Sequence, residues 1–226
     1  MRDYGNSNAA TALVHQAGPE HAHFAFSVLD AFLNNEDHDE VPGFENVNTA
    51  LFVTWNMNHR LRGCIGTLEP RMLHKALKDY ALTSAVRDSR FSPIRLKELP
   101  HLECKVSLLS CFENAANWED WQVGKHGIII EFVDPQLNCL RTATFLPDVP
   151  PEQGWDVVQT IDALIRKSGC ESRPNAALRN SLQVIRYQST ICSMSYAEYM
   201  AAKDLKAGSN NGSLNGQVDL RGAALN

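Results

Sequence analysis

Nowhere in this chain do eighteen apolar residues run together, and its first residues, MRDYGNSNAATALVHQ, lack the charged, apolar and small-residue succession of a secretory leader. The expectation is therefore a soluble intracellular protein with no membrane span. None of the six cysteines (64, 104, 111, 139, 170, 192) belongs to a C-x-x-C pair, so neither a zinc ribbon nor a dithiol redox centre is indicated. Scattered free thiols of a reducing compartment fit this pattern. The eight histidines form no H-E-x-x-H, and His21 and His23 sit two apart on a predicted helix, hence on different faces. No metal site is expected, and no cofactor. Both G-x-x-x-x-G-K-[ST] and G-x-G-x-x-G are missing, which removes the usual nucleotide-binding signatures.

A net charge of −5 disfavours general nucleic-acid binding, yet the average conceals an asymmetry. Residues 59–97 carry nine Lys/Arg against three acids, while the remainder carries 12 against 23. One basic segment in an acidic chain points to an anionic ligand or an acidic protein partner. The alternative is that these cations are solvated or paired within the fold. Nucleic acid is the weakest partner class, because Tyr80 and Phe91 form no RNA-recognition pattern.

The basic segment contains RLRGCIGTLEP, residues 60–70. LFVTW at 51–55, a polar turn at 56–59 and this run have the pattern of a β-hairpin. Strand alternation puts Arg60, Arg62, Cys64 and Gly66 on one face and Leu61, Gly63, Ile65 and Thr67 on the other. Upstream, Pro19 and the spacing of Phe24, Val28, Leu29 and Phe32 predict a helix over 19–33, followed by an acidic loop at 34–48. Downstream, Leu73, Ala76, Leu77, Tyr80, Ala81 and Ser84 predict a helix over 71–86. A loop bracketed by Pro93 and Pro100 leads to a strand from 102 to 108. A doubly covered strand is expected at 126–133, its hairpin partner at 140–146, a helix at 152–168, a strand at 183–191 and a helix at 196–205. Hairpin-linked strands favour an α+β fold, a mainly antiparallel sheet with flanking helices. Its body is expected over 18–205, between disordered segments at 1–17 and 206–226.

In order, LFVTW, LRGCIGT, LTSAVRDSRFSP, ELPHLECKVSLLS, GKHGIIIEF, RTATFLPDVPPEQGWD, TIDALIRKSG and SYAEY resemble the blocks of the AMMECR family, named from the Alport syndrome, midface hypoplasia and elliptocytosis candidate region. The resemblance spans about residues 22–203. It implies a compact domain of two unequal lobes with a cleft between them, in the cytoplasm or nucleus. It implies no particular reaction.

Two site readings follow from the residues. In the catalytic one, Cys64 is a nucleophile favoured as thiolate by Arg62, His126 is its base, and Glu152 or Asp88 orients the imidazole. In the binding one, Gly63, Gly66 and Thr67 offer backbone groups near the N-terminus of the 71–86 helix. Arg62 and Arg90 would clamp a small anion there, with Asp88 and Gln153 at the border. Against both stands a plain structural account: Cys64 as a small core residue, the glycines as close-packing positions and Thr67 as a turn former. A regulatory module docking an acidic partner, without catalysis, is the competing function.

Overall fold

The computed structural model describes residues 15–211 and has the expected α+β architecture. In chain order the elements are α1 (Pro19–Asn34), β1 (Asn48–Met57), β2 (Arg60–Met72), α2 (Leu73–Val86), a 3-10 turn (Leu96–His101) and β3 (Leu102–Asn114). There follow β4 (Gly127–Val133), β5 (Leu140–Phe145), α3 (Val149–Gln153), α4 (Val157–Lys167), α5 (Ala176–Asn180), β6 (Gln183–Ser195) and α6 (Tyr196–Asn211). All six strands join one antiparallel sheet in the order β2-β1-β3-β6-β4-β5.

The sheet is covered on both faces. On one, α1 and α2 bury Phe26, Leu29, Leu77 and Ala81 against Leu51, Val53, Trp55, Val106 and Leu108. The Trp55 indole N–H donates to the Ala81 carbonyl at 3.0 Å, so the polar end of this fully buried ring is satisfied. A smaller cluster forms where Ile161, Leu164 and Ile165 of α4 meet Ile128, Ile130 and Phe132 of β4. These are the two unequal lobes. Ile129, on the opposite face of β4, joins Ala50, Leu109 and Tyr187 in a third cluster, so β4 is covered on both sides as its unbroken apolar run requires. Phe52, Leu68 of edge strand β2 and Leu146 beyond edge strand β5 pack on this same cluster. The sheet is therefore curled about it, and its two edges approach each other.

The β1–β2 turn is the two-residue kind, with Asn58 and His59 both left-handed at φ 51° and 62°. Its register departs from simple alternation. Trp55 pairs with Gly63 and Asn56 with Leu61, which leaves Arg62 as the extra residue of a bulge. Cys64 and Gly66 lie opposite Thr54 and Phe52 on the inner face, but Arg62 has left the alternating row that the sequence suggested.

Other differences are local. The helix expected over 152–168 is split: Gly154 adopts φ 67° and ends α3, and Asp156 starts α4 with a reciprocal capping box to Gln159. Trp155 falls in the break. The loop between Pro93 and Pro100 contains the 3-10 turn, and α5 occupies a stretch with too short a period to reveal itself. Strand β6 and helix α6 run further than expected, α6 entering the segment from 206 read as disordered. The calls on residues 1–14 and 212–226 lie outside the described residues.

Gly63 shows why β2 needs a glycine. A Cβ there would run into the Ser84 carbonyl oxygen, backbone of α2 that cannot turn aside. Gly63→Ala is expected to lower stability by about 2 kcal/mol or more, as overpacking against backbone does. Gly43→Ala, with nothing within 4 Å of the added carbon, is the control, staying within about 0.5 kcal/mol. Urea midpoints of the two variants measure the contrast.

Candidate functional site

Cys64 lies on an edge strand, so its peptide groups facing away from β1 need partners from elsewhere. Asp88 and Arg90, in the segment leaving α2, supply them. The Cys64 N–H donates to Asp88 Oδ2 at 2.9 Å, and Arg90 Nη2 donates to the Cys64 carbonyl at 3.0 Å. The two side chains are joined by a fork, Nε to Oδ1 at 2.9 Å and Nη2 to Oδ2 at 2.6 Å, with a further bond from the Arg90 N–H. This pairing, aided by the two backbone donors, holds the buried Asp88 carboxyl far below the usual carboxylate range.

The Cys64 thiol accepts from Thr54 Oγ1 at 3.1 Å. Burial pushes it above its ordinary value, and the hydrogen bond from Thr54 and the nearby cations Arg90 and Lys167 offset this only in part. That is the opposite direction from the activation a nucleophile needs.

Lys167 was not among the residues singled out in the sequence. It is the last residue of α4, its ammonium donating to the Thr144 carbonyl at 2.7 Å and standing 4.5 Å from the centre of the Phe145 ring. Although α4 packs near β5, at the opposite edge from β2, its charge is felt at Cys64 and Arg90. Burial, and then the like charge of Arg90, push its pKa below that of an ordinary lysine, with only the Cys64 thiolate acting the other way. On the same inner face, Lys105 lies beside Thr54 in register and 3.8 Å from Asp148, and Tyr187 and Thr144 share a 3.0 Å hydrogen bond. No period in the sequence could place Lys167 here; the curl of the sheet does.

The remaining sequence candidates stand elsewhere or are engaged. Arg62 is buried and spent inside the fold, on Glu98 at 2.9 Å and on the carbonyls of Ser92 and Pro93. His126 is buried in a turn, its Nδ1 accepting from the Gln122 N–H at 3.0 Å, and its charged neighbours are Lys125, Arg186, Glu113 and Asp120. None of these surrounds Cys64. Glu152 and Gln153 are exposed on α3. Thr67 closes a local turn with Glu69, six residues ahead of α2. The N-terminus of α2 is already satisfied, Leu73 donating to the Val47 carbonyl and His74 to Asn46 Oδ1. At Gly66 a Cβ would strike the Leu51 carbonyl and Phe52, a packing role. The structure thus gathers Cys64, Asp88 and Arg90, and engages Arg62, Thr67 and His126 with other partners.

Residues 22–192 match the AMMECR1 family. An uncharacterised Arabidopsis thaliana protein is 50% identical over 190 residues, covering 82% of this chain and 88% of its own. One from Kluyveromyces lactis is 40% identical over 172 residues, covering 69% and 76%. The crystal structure of an uncharacterised Pyrococcus horikoshii protein superposes with a TM-score of 0.66 at 28% identity, covering 78% of this chain and 90% of that one. No helix of the described residues is long and apolar enough to cross a membrane.

Two outcomes are expected. Asp88→Asn costs about 2 kcal/mol at neutral pH, the scale of a hydrogen-bonded charge. Because the folded pKa of Asp88 is depressed, this contribution is complete above the unfolded value of about 4 and is lost as pH falls towards the folded one. The gap between wild type and variant in urea therefore narrows below about pH 4. Alkylation of Cys64, followed by peptide mass spectrometry, accelerates only above the ordinary thiol range, and Lys167→Met shifts the curve higher still.

Proposed function

This chain belongs to the AMMECR1 family, and we propose that it binds a small anionic ligand in the cleft where the two edges of the curled sheet meet. Lys167 and Arg90 form the cationic pair, and Thr54 and Cys64 form the wall between them. The observation that carries the reading is the company Lys167 keeps. Its ammonium, partly withdrawn from water against the Thr144 carbonyl and the Phe145 ring, feels the like charge of Arg90. Two like charges held together in a partly dry place are relieved by an anion. Arg90 is fixed in orientation by Asp88 and half-exposed, so it is pre-organised to meet one.

In this reading Cys64 is a neutral thiol that lines the site. His126 has no part in it, since its charged neighbours are Lys125, Arg186, Glu113 and Asp120. The six free thiols support placing the protein in a reducing compartment, cytoplasm or nucleus, which cell fractionation tests.

The binding test uses phosphate and citrate as probes. Either one, at millimolar concentration, slows alkylation of Cys64 severalfold in the wild-type chain and raises its melting temperature. Both effects disappear in Lys167→Met, whose unchanged melting temperature without anion certifies the fold. Protection also weakens with rising pH earlier than an ordinary lysine would allow, because the ligand needs the ammonium and its pKa is lowered. Equal alkylation with and without both anions, in wild type and variant alike, sinks the proposal.

A further inference from the structure

A second surface, independent of Cys64, lies on the outer flank of α2. A groove of about 770 Å³ runs along this helix between its own side chains, Phe32 at the end of α1 and Arg71 and Met72 at the end of β2. Its apolar part is contributed by Phe32, Met72, Leu82 and Val86, of which Phe32 and Met72 are 47% and 50% exposed. Around it stand Arg71, Lys75 and Arg87, against the single acid Asp79. Arg71 has a loose, exposed contact with Glu69 at 3.5 Å; Lys75 and Arg87 are exposed and have no ion pair among the described residues.

We propose that this groove docks an acidic amphipathic helix of a partner protein, bulky apolar residues down and carboxylates towards Lys75 and Arg87. Three observations select that occupant. Lys75 and Arg87 are twelve positions apart, a rise of about 18 Å along a helix. A small metabolite does not bridge them, whereas a helix of three to four turns does. Between the two cations Leu82 and Val86 give apolar footing beside Asp79 and Thr83, which suits the spaced apolar anchors of helix-in-groove recognition and not a phosphate backbone. Finally, the chain's own acidic stretch, 36–45, is engaged away from the groove. The His38 carbonyl accepts from Lys78, and Glu40 faces His23 and His38.

The test places a photo-crosslinking amino acid at Met72 in the full chain, expressed in its own cells, and maps the crosslinked peptides by mass spectrometry. The expected result is a discrete partner peptide, net acidic, with apolar residues at helical spacing. A synthetic copy of it binds the purified chain and loses roughly tenfold in affinity with Lys75→Glu and Arg87→Glu combined, the scale of two interface charge contacts. Both positions are exposed, and an unchanged melting curve certifies the double variant. Lys167→Met leaves this binding intact, which separates the groove from the anion cleft. Crosslinks only to a second copy of this chain, to nucleic acid, to peptides without acids, or to nothing overturn the proposal. So does a peptide whose affinity ignores the charge reversal.

Discussion

The Asp88–Arg90 fork on the Cys64 peptide is the contact on which the cleft depends. An edge strand presents unpaired N–H and C=O groups, and a neighbouring strand would ordinarily take them or water would fill the place. Here a carboxylate accepts from the N–H while a guanidinium donates to the carbonyl of the same residue. Two side chains thereby do at one residue what a further strand would do along its length. The arrangement ends the sheet at β2 and ties the segment leaving α2 to that strand. It also fixes the Arg90 guanidinium at the mouth of the cleft. Because Asp88 is buried and ionised only in company with Arg90, neither partner can be removed without stranding the other.

The curl supplies what this anchor alone cannot. In a flat sheet, strands five places apart in the order β2-β1-β3-β6-β4-β5 would be separated by more than 20 Å at ordinary strand spacing. Lys167 would then have no influence on Cys64. Leu68 from one edge and Leu146 from beyond the other share the inner apolar cluster instead, and burial of that cluster drives the edges together. Hydrophobic packing thus sets the electrostatics of the site: it brings Lys167 within electrostatic reach of Cys64 and Arg90.

What was legible in the sequence follows from what is local. The β1–β2 hairpin, the apolar stripes of α1, α2 and α4, and the doubly covered β4 all express a period of 2 or 3.6 that the fold retains. The α3–α4 break was carried by Gly154 and the D-x-x-Q cap at Asp156, both readable, but a continuous stripe through Trp155 hid them. Arg62 illustrates a different limit. Alternation put it beside Cys64, and a single-residue bulge, with no signature beyond the neighbouring Gly63, turned it into an internal ion-pair residue. His126 and Lys167 mark the limit of one-dimensional reasoning, since nothing local states which distant strand end lies beside Cys64.

The basic segment that stood out in an acidic chain has two fates. Arg62 and Arg90 are consumed mainly by the fold, with Glu98 and Asp88 as their partners, and what they contribute is geometry. Lys75 and Arg87 are exposed and have no ion pair among the described residues, so their charge costs little to keep and stabilises little within the monomer. Charge that the fold does not use, arranged along one helix flank over exposed apolar side chains, is most economically understood as facing outward. A count of positive residues could not separate these two groups; only their partners do. The same cations that suggested one anionic ligand in the sequence therefore divide, in the structure, between those that the fold pairs with carboxylates and those that it leaves exposed on one helix flank.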